Sequence, residues 1–255
     1  MTLRRRNFAF TLLLYVAFFA SGASSLIAEV TWNRMLIVVV GNSLSATALI
    51  LIVFMGGLGL GSYVGGKLLS GRRVSLFPYA VLEALIGVYV LLSPTIFGVL
   101  TDLFRSLAVG NADQTGLTVA RVLVSMLALL LPASLMGATF PAIVNGAALE
   151  TPSGRAARTG YLYSTNTLGA AVGCFAAGYH LLFEFGVQTA LVVAFVSYLV
   201  AAGAGLVAGL MQRGEFGDAT TSGGDRDDGT SGSRAALGSE APALAGAATD
   251  PAQVR

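Results

Sequence analysis

The sequence predicts an all-α membrane protein with six transmembrane helices, and three observations predict it. Hydrophobic residues make up 55% of the 255 residues, charged residues only 11%, and the mean hydropathy is +0.76. Soluble domains carry roughly 25% charged residues, so there are too few charges here to cover a water-facing surface. Several apolar runs reach the length of about 20 residues that a helix needs to cross a bilayer. Finally, the cationic residues between those runs alternate in density, as loops on two sides of a membrane do.

The runs are Phe8–Ala28, Leu44–Gly66, Leu76–Leu100, Leu117–Leu149, Tyr161–Phe183 and Val187–Met211. A membrane β-barrel would show short alternating segments instead. The fourth run holds Pro132 and Pro141. Each proline removes a backbone donor, so a kink or break is expected between Leu131 and Pro141. The first 25 residues also have the outline of a secretory signal: Arg4–Arg6, an apolar core, then small residues from Ala20 to Ser25. An uncleaved first span is preferred, because cleavage would spoil the charge alternation.

Arg4, Arg5, Arg6, Lys67, Arg72, Arg73, Arg155, Arg158 and Arg213 fall on one side, nine in all, against Arg34, Arg105 and Arg121 on the other. The positive-inside rule then puts both termini in the cytoplasm and the protein in the cell (plasma) membrane, its lipid bilayer being the first partner. The surplus of positive charge before residue 212 belongs to these loops and implies no nucleic acid. Residues 1–211 therefore form the transmembrane domain. Residues 212–255, rich in Gly, Ala, Ser, Thr and Asp, are expected to be a disordered cytoplasmic tail. Its stretch Gly223–Gly229 lacks the preceding strand and following helix that a nucleotide-binding glycine loop requires. One cysteine, Cys174, and one histidine, His180, give no basis for a disulfide, a metal site or a bound cofactor.

Inside the spans two kinds of residue stand out. Gly57, Gly61 and Gly65 recur every four residues, and Gly169 and Gly173 repeat the device in the fifth run. Such faces let another helix backbone approach closely, within the chain or, as the alternative, in a homo-oligomer. The polar candidates are Glu29, Trp32 and Arg34 after the first run, Glu83 in the third, and Asn166 in the fifth. Glu29 and Arg34 are candidates to pair with each other or with an outside ligand; Trp32 reads most simply as an interfacial anchor. Glu83 lies at a depth where a carboxylate faces a partner or cavity, with Asn166 and Thr167 as the expected partners. His180 and Glu184 stand one turn apart with no further ligand cluster, and no residue set suggests catalysis.

Splitting the runs three and three gives inverted repeats, the arrangement of one half of a major facilitator fold. The loop from Gly65 to Arg73 resembles the cytoplasmic signature of that superfamily, without its usual aspartate. Four stretches carry a closer resemblance: Glu29–Arg34, Phe54–Gly66, Leu131–Pro141 and Gly160–Ala170. In them the chain resembles the membrane-embedded N-terminal half of fused major-facilitator/spermidine-synthase-like proteins, over about Ser21 to Met211. Lys67 stands where that family more often has arginine, and Phe140 where it has leucine. The resemblance implies a membrane module that normally precedes a cytosolic aminopropyltransferase-like domain. No strand, glycine loop and helix unit of such a domain is present in this chain, so enzymatic activity is not expected of it alone. The implied role is to anchor or cooperate with a separate aminopropyltransferase-like protein; the alternative is transport of a small molecule, a polyamine among the candidates.

Overall fold

In the computed structural model, residues 3–40, 43–69, 75–108, 114–147 and 152–222 are described. The cationic loop residues 70–73 and the tail beyond Ser222 lie outside them. The chain divides into two units, Met1–Phe216 and Gly217–Arg255, and of the second only the helical residues 217–222 are described. Every described element of the first unit is helical: α1 Leu3–Val40, α2 Ser43–Leu69, α3 Phe77–Ala108, α4 Gln114–Gly146 and α5 Pro152–Ala176, continued by the π-helical segment Ala177–Phe185. The last helix, α6, is Gly186–Ser222.

Five stretches are long and apolar enough to cross a membrane: Asn7–Val38, Leu44–Leu69, Phe77–Ala108, Thr115–Gly146 and Ala156–Gln212. The apolar side chains on the outside, such as Met55, Phe175 and Phe183, suit a lipid surrounding. The fifth stretch runs together the two C-terminal runs seen in the sequence. At 57 residues it would extend about 85 Å as one straight helix. Its two ends nevertheless meet. Arg158 Nη1 donates to the carbonyl of Ala147 (3.4 Å) and Gln212 Nε2 to that of Gly146 (2.6 Å). The chain turns back at Gly186, where φ is 77° and ψ −179°, a conformation that a residue with a Cβ rarely takes.

Contacts between helices give their directions. Tyr79, Glu83 and Ser93 of α3 meet Ala17, Ser21 and Trp32 of α1 in ascending order, so α1 and α3 run parallel. Gly169 and Gly173 of α5 lie on Phe19 and Ala23 of α1, again parallel. Gly57, Gly61 and Gly65 of α2 lie on Ala133, Ser134 and Ala138 of α4, the second parallel pair. Gly87, Gly205 and Gly209 show α6 antiparallel to α3, through Tyr198, Tyr79 and Leu76. At Gly61 a Cβ would collide with the backbone carbonyl of Ser134, and at Gly169 with that of Phe19. Both glycine faces are thus seats for a neighbouring backbone within the chain.

The interior has two apolar centres. One gathers Trp32, Phe54, Ile86, Val90, Leu129 and Tyr198; the other gathers Phe18, Leu76, Tyr79, Ile143 and Leu162. Aromatic rings set their spacing: Trp32 stands edge-on to Tyr89 at 6.0 Å, and Phe18 stacks with Phe140 at 5.9 Å.

Of the kink or break expected in α4, the break does not occur. The helix continues through Pro132 and Pro141. A proline removes the donor for the carbonyl four residues earlier, and in an apolar medium that carbonyl needs another. Tyr89 Oη donates to Ala128 O (2.6 Å), four residues before Pro132, and Ser62 Oγ to Gly137 O (2.9 Å), four before Pro141. Pro94 of α3 follows the same rule, with Ser93 Oγ donating to Val90 O (2.7 Å).

Candidate functional site

Glu83 is fully buried, at 0% exposure, in the first half of α3. Around Glu83 the helix α3 is apolar on nearly every side, so this carboxyl depends on what neighbouring helices offer. Ser21 Oγ of α1 donates to Glu83 Oε1 at 2.7 Å. Glu83 Oε2 has no hydrogen-bond partner among the described residues. The expected partners Asn166 and Thr167 are elsewhere. Asn166 is half-buried with its backbone and Oδ1 against Gly22, and Thr167 Oγ1 donates to Tyr163 O on the outer side of α5. The reason is the seam itself: Gly22, Gly169 and Gly173 bring α1 and α5 together backbone to backbone, and α1 then stands between Asn166 and the carboxyl.

Hydroxyls surround this acid. Tyr79 Oη donates to Ala17 O (3.1 Å), and Ser24 Oγ to Ala20 O and Ser21 O (2.8 and 3.0 Å). Ser25 Oγ and Tyr198 Oη share a bond of 3.0 Å. Gly87, one turn after Glu83, makes room for the body of Tyr198. Ser21, Ser25 and Glu29 follow one another at four-residue spacing along α1, so they share a face. In the sequence these serines read as small residues of a signal-like outline within the first apolar run, not as polar groups facing a partner. Their spacing ahead of Glu29 was the available signal.

The remaining candidates separate. The helix α1 does not stop near Ala28 but continues to Val40, so Glu29, Trp32 and Arg34 are helical residues. Trp32 is fully buried, not an interfacial anchor: its Nε1 donates to Ser93 Oγ at 2.8 Å while Ser93 bonds onward to Val90 O. Glu29 is half-buried and Arg34 exposed. Five residues apart on one helix they point about 140° away from each other, which does not favour a pair. His180 and Glu184 are both exposed on the π-helical segment, His180 edge-on to Phe185 at 5.4 Å. Among the described residues no three of His, Cys, Asp and Glu come together as a metal-binding group.

What the centre at Glu83 can do follows from its surroundings. A carboxylate with one hydrogen bond is costly in a membrane interior. Arg158 packs on Phe10 and donates to Thr11 at 2.9 Å, ten residues before Ser21 on α1, or about 15 Å along the helix. The centre is a buried cluster of hydroxyls around a single acid. Comparison with protein-family models, with curated proteins and with solved structures finds no match.

Proposed function

We propose that the chain is a six-crossing module of the plasma membrane with both ends cytoplasmic, built from two inverted three-helix repeats like one half of a major facilitator. In this reading it anchors or cooperates with a separate cytosolic aminopropyltransferase-like enzyme. One observation supports the architecture above the rest. The backbone contacts of the two parallel pairs correspond residue by residue. Gly61 meets Ser134, Gly65 meets Ala138, and Leu58 meets Gly137; in the other pair Gly169 meets Phe19, Gly173 meets Ala23, and Asn166 meets Gly22. Adding 108 to each α2 number and subtracting 115 from each α4 number turns the first set into the second. Two repeats of one three-helix plan, the second inverted, give this correspondence. The reversal at Gly186 supplies the sixth crossing, and the nine cationic residues against three support the orientation.

The enzyme partner rests on the resemblance carried by Glu29–Arg34, Phe54–Gly66, Leu131–Pro141 and Gly160–Ala170. The buried rings of Trp32, Phe18, Tyr79 and Tyr198 fill the middle of the helices, which favours a holding module over a stand-alone carrier. The test is binding of a separately encoded spermidine-synthase-like enzyme to vesicles that contain the full chain. Saturable retention that empty vesicles lack is expected; equal retention on empty vesicles overturns the partner.

A second reading, small-molecule transport, is favoured by the free oxygen of Glu83. It predicts polyamine uptake by liposomes containing the chain, lost in Glu83→Gln.

A further inference from the structure

The unbonded oxygen of Glu83 is buried, and no ion pair to Glu83 occurs among the described residues. Two features say what it accepts. The acid is enclosed at 0% exposure, among small and aromatic side chains, which favours the smallest cation. A line of oxygen groups also leads away from it along α1: Ser21 on Glu83 itself, Ser25 bonded to Tyr198, then Glu29, which is half-buried. Tyr198 also packs on Gly87, one turn after Glu83 on α3. From Ser21 to Glu29 is eight residues, about 12 Å along the helix.

We propose that Glu83 is a binding site for one exchangeable proton, supplied from Glu29 through the hydroxyls of Ser25 and Tyr198. One proton leaves the Glu29 carboxyl, each hydroxyl accepts one and passes one on, and one arrives on Glu83 Oε2. No electron and no co-reactant is involved. The ionisable groups facing the site are Tyr79 on its own helix, Tyr198 from α6 and Glu29 from α1. The charged residues of the neighbouring helices point away: Arg121 of α4 packs on Phe104 near the other end of α3, and Arg158 of α5 on Phe10. The proposal goes beyond the anchoring role and does not depend on any enzyme partner.

The test is infrared spectroscopy of the full chain in liposomes, following the carbonyl stretch of an un-ionised carboxylic acid. At neutral pH the parent is expected to show such a band, and Glu83→Gln to lack it. Glu83→Asp, which keeps the acid, should retain a shifted band and serves if the glutamine variant fails to fold. On transfer to heavy water the band shifts as the proton exchanges. Glu29→Gln and Tyr198→Phe should slow that exchange by about a hundredfold, the low end of what a positioned acid–base group contributes to proton transfer. Their bands should otherwise stay in place. A parent spectrum without a band dependent on residue 83 overturns the site, and loss of the band on adding sodium at fixed pH assigns it to a metal cation instead. Unchanged exchange in both relay variants overturns the route.

Discussion

Tyr89 Oη of α3 donates at 2.6 Å to the carbonyl of Ala128 in α4, the carbonyl that Pro132 deprives of its helical donor. The bond makes a testable pair of the two residues. Tyr89→Phe should cost about 0.6–1.7 kcal/mol, the range of interhelical hydrogen bonds in membrane proteins. In a Pro132→Ala background the alanine N–H can take up Ala128 O, and the same change should cost much less. Unfolding titrations of the four proteins in mixed micelles measure the coupling. Equal costs in both backgrounds would show that the proline and the tyrosine are independent.

Gly61→Leu should disrupt folding far more than Leu60→Ala. Leu60 is half exposed on the outer side, whereas the new side chain at 61 would strike the Ser134 backbone. Gly169→Leu should be equally harmful against Phe19. Gly56→Leu and Gly59→Leu, with open space at both positions, should leave the protein monodisperse and heat-resistant. Size-exclusion profiles after heating separate these groups, and a robust Gly61→Leu would mean that the α2–α4 seam does not form.

Trp32→Phe keeps a ring in the core but gives up the bond to Ser93, so a loss of about 1 kcal/mol is expected. Trp32→Ala should cost about 3–5 kcal/mol through the cavity it leaves. A tryptophan merely resting at the membrane interface would give small and similar losses in both variants.

Glu83→Leu removes the acceptor of Ser21 Oγ and should lower the thermal midpoint, while Glu83→Gln, which keeps an acceptor oxygen, should be tolerated. If the leucine variant melts like the parent, the carboxyl has no structural weight and the polar centre is not a stabilising contact.

Single cysteines at Ser70 and Asn111, in a Cys174→Ser background, should react with impermeant reagents from opposite sides of the membrane. Labelling of both from one side would defeat the proposed orientation.

The helices and the glycine faces were legible in the sequence because burial in lipid leaves long apolar runs and because close backbone contact needs a repeated absence of side chains. Their partners were not legible. Gly61 announces that something approaches, but nothing in its neighbourhood names Ser134. Trp32 was misread because the apolar run thins out near Ala28 while the helix continues to Val40, and a tryptophan at the edge of a run resembles an anchor. Its burial depends on Ser93, which is 61 residues away. Pro132 and Pro141 suggested a kink or break because a proline's cost is local, whereas its remedy, Tyr89 and Ser62, comes from other helices. Glu83 stood out by its depth and is buried, but its bond to Ser21 depends on how α1 and α3 pack, which the sequence does not spell out.

In the proposed six-crossing arrangement, the turn at Gly186 also decides parity. Each reversal of a membrane chain exchanges the side on which everything downstream emerges, so an odd or even count fixes where the C-terminal segment is delivered. Most turns are set by several loop residues and a cluster of charges, and they tolerate drift. Here the apolar stretch is unbroken from Ala156 to Gln212, and a single residue in a conformation open to glycine sends the chain back. A bulkier residue at 186 would therefore put at risk the address of the last seventy residues as well as the local geometry.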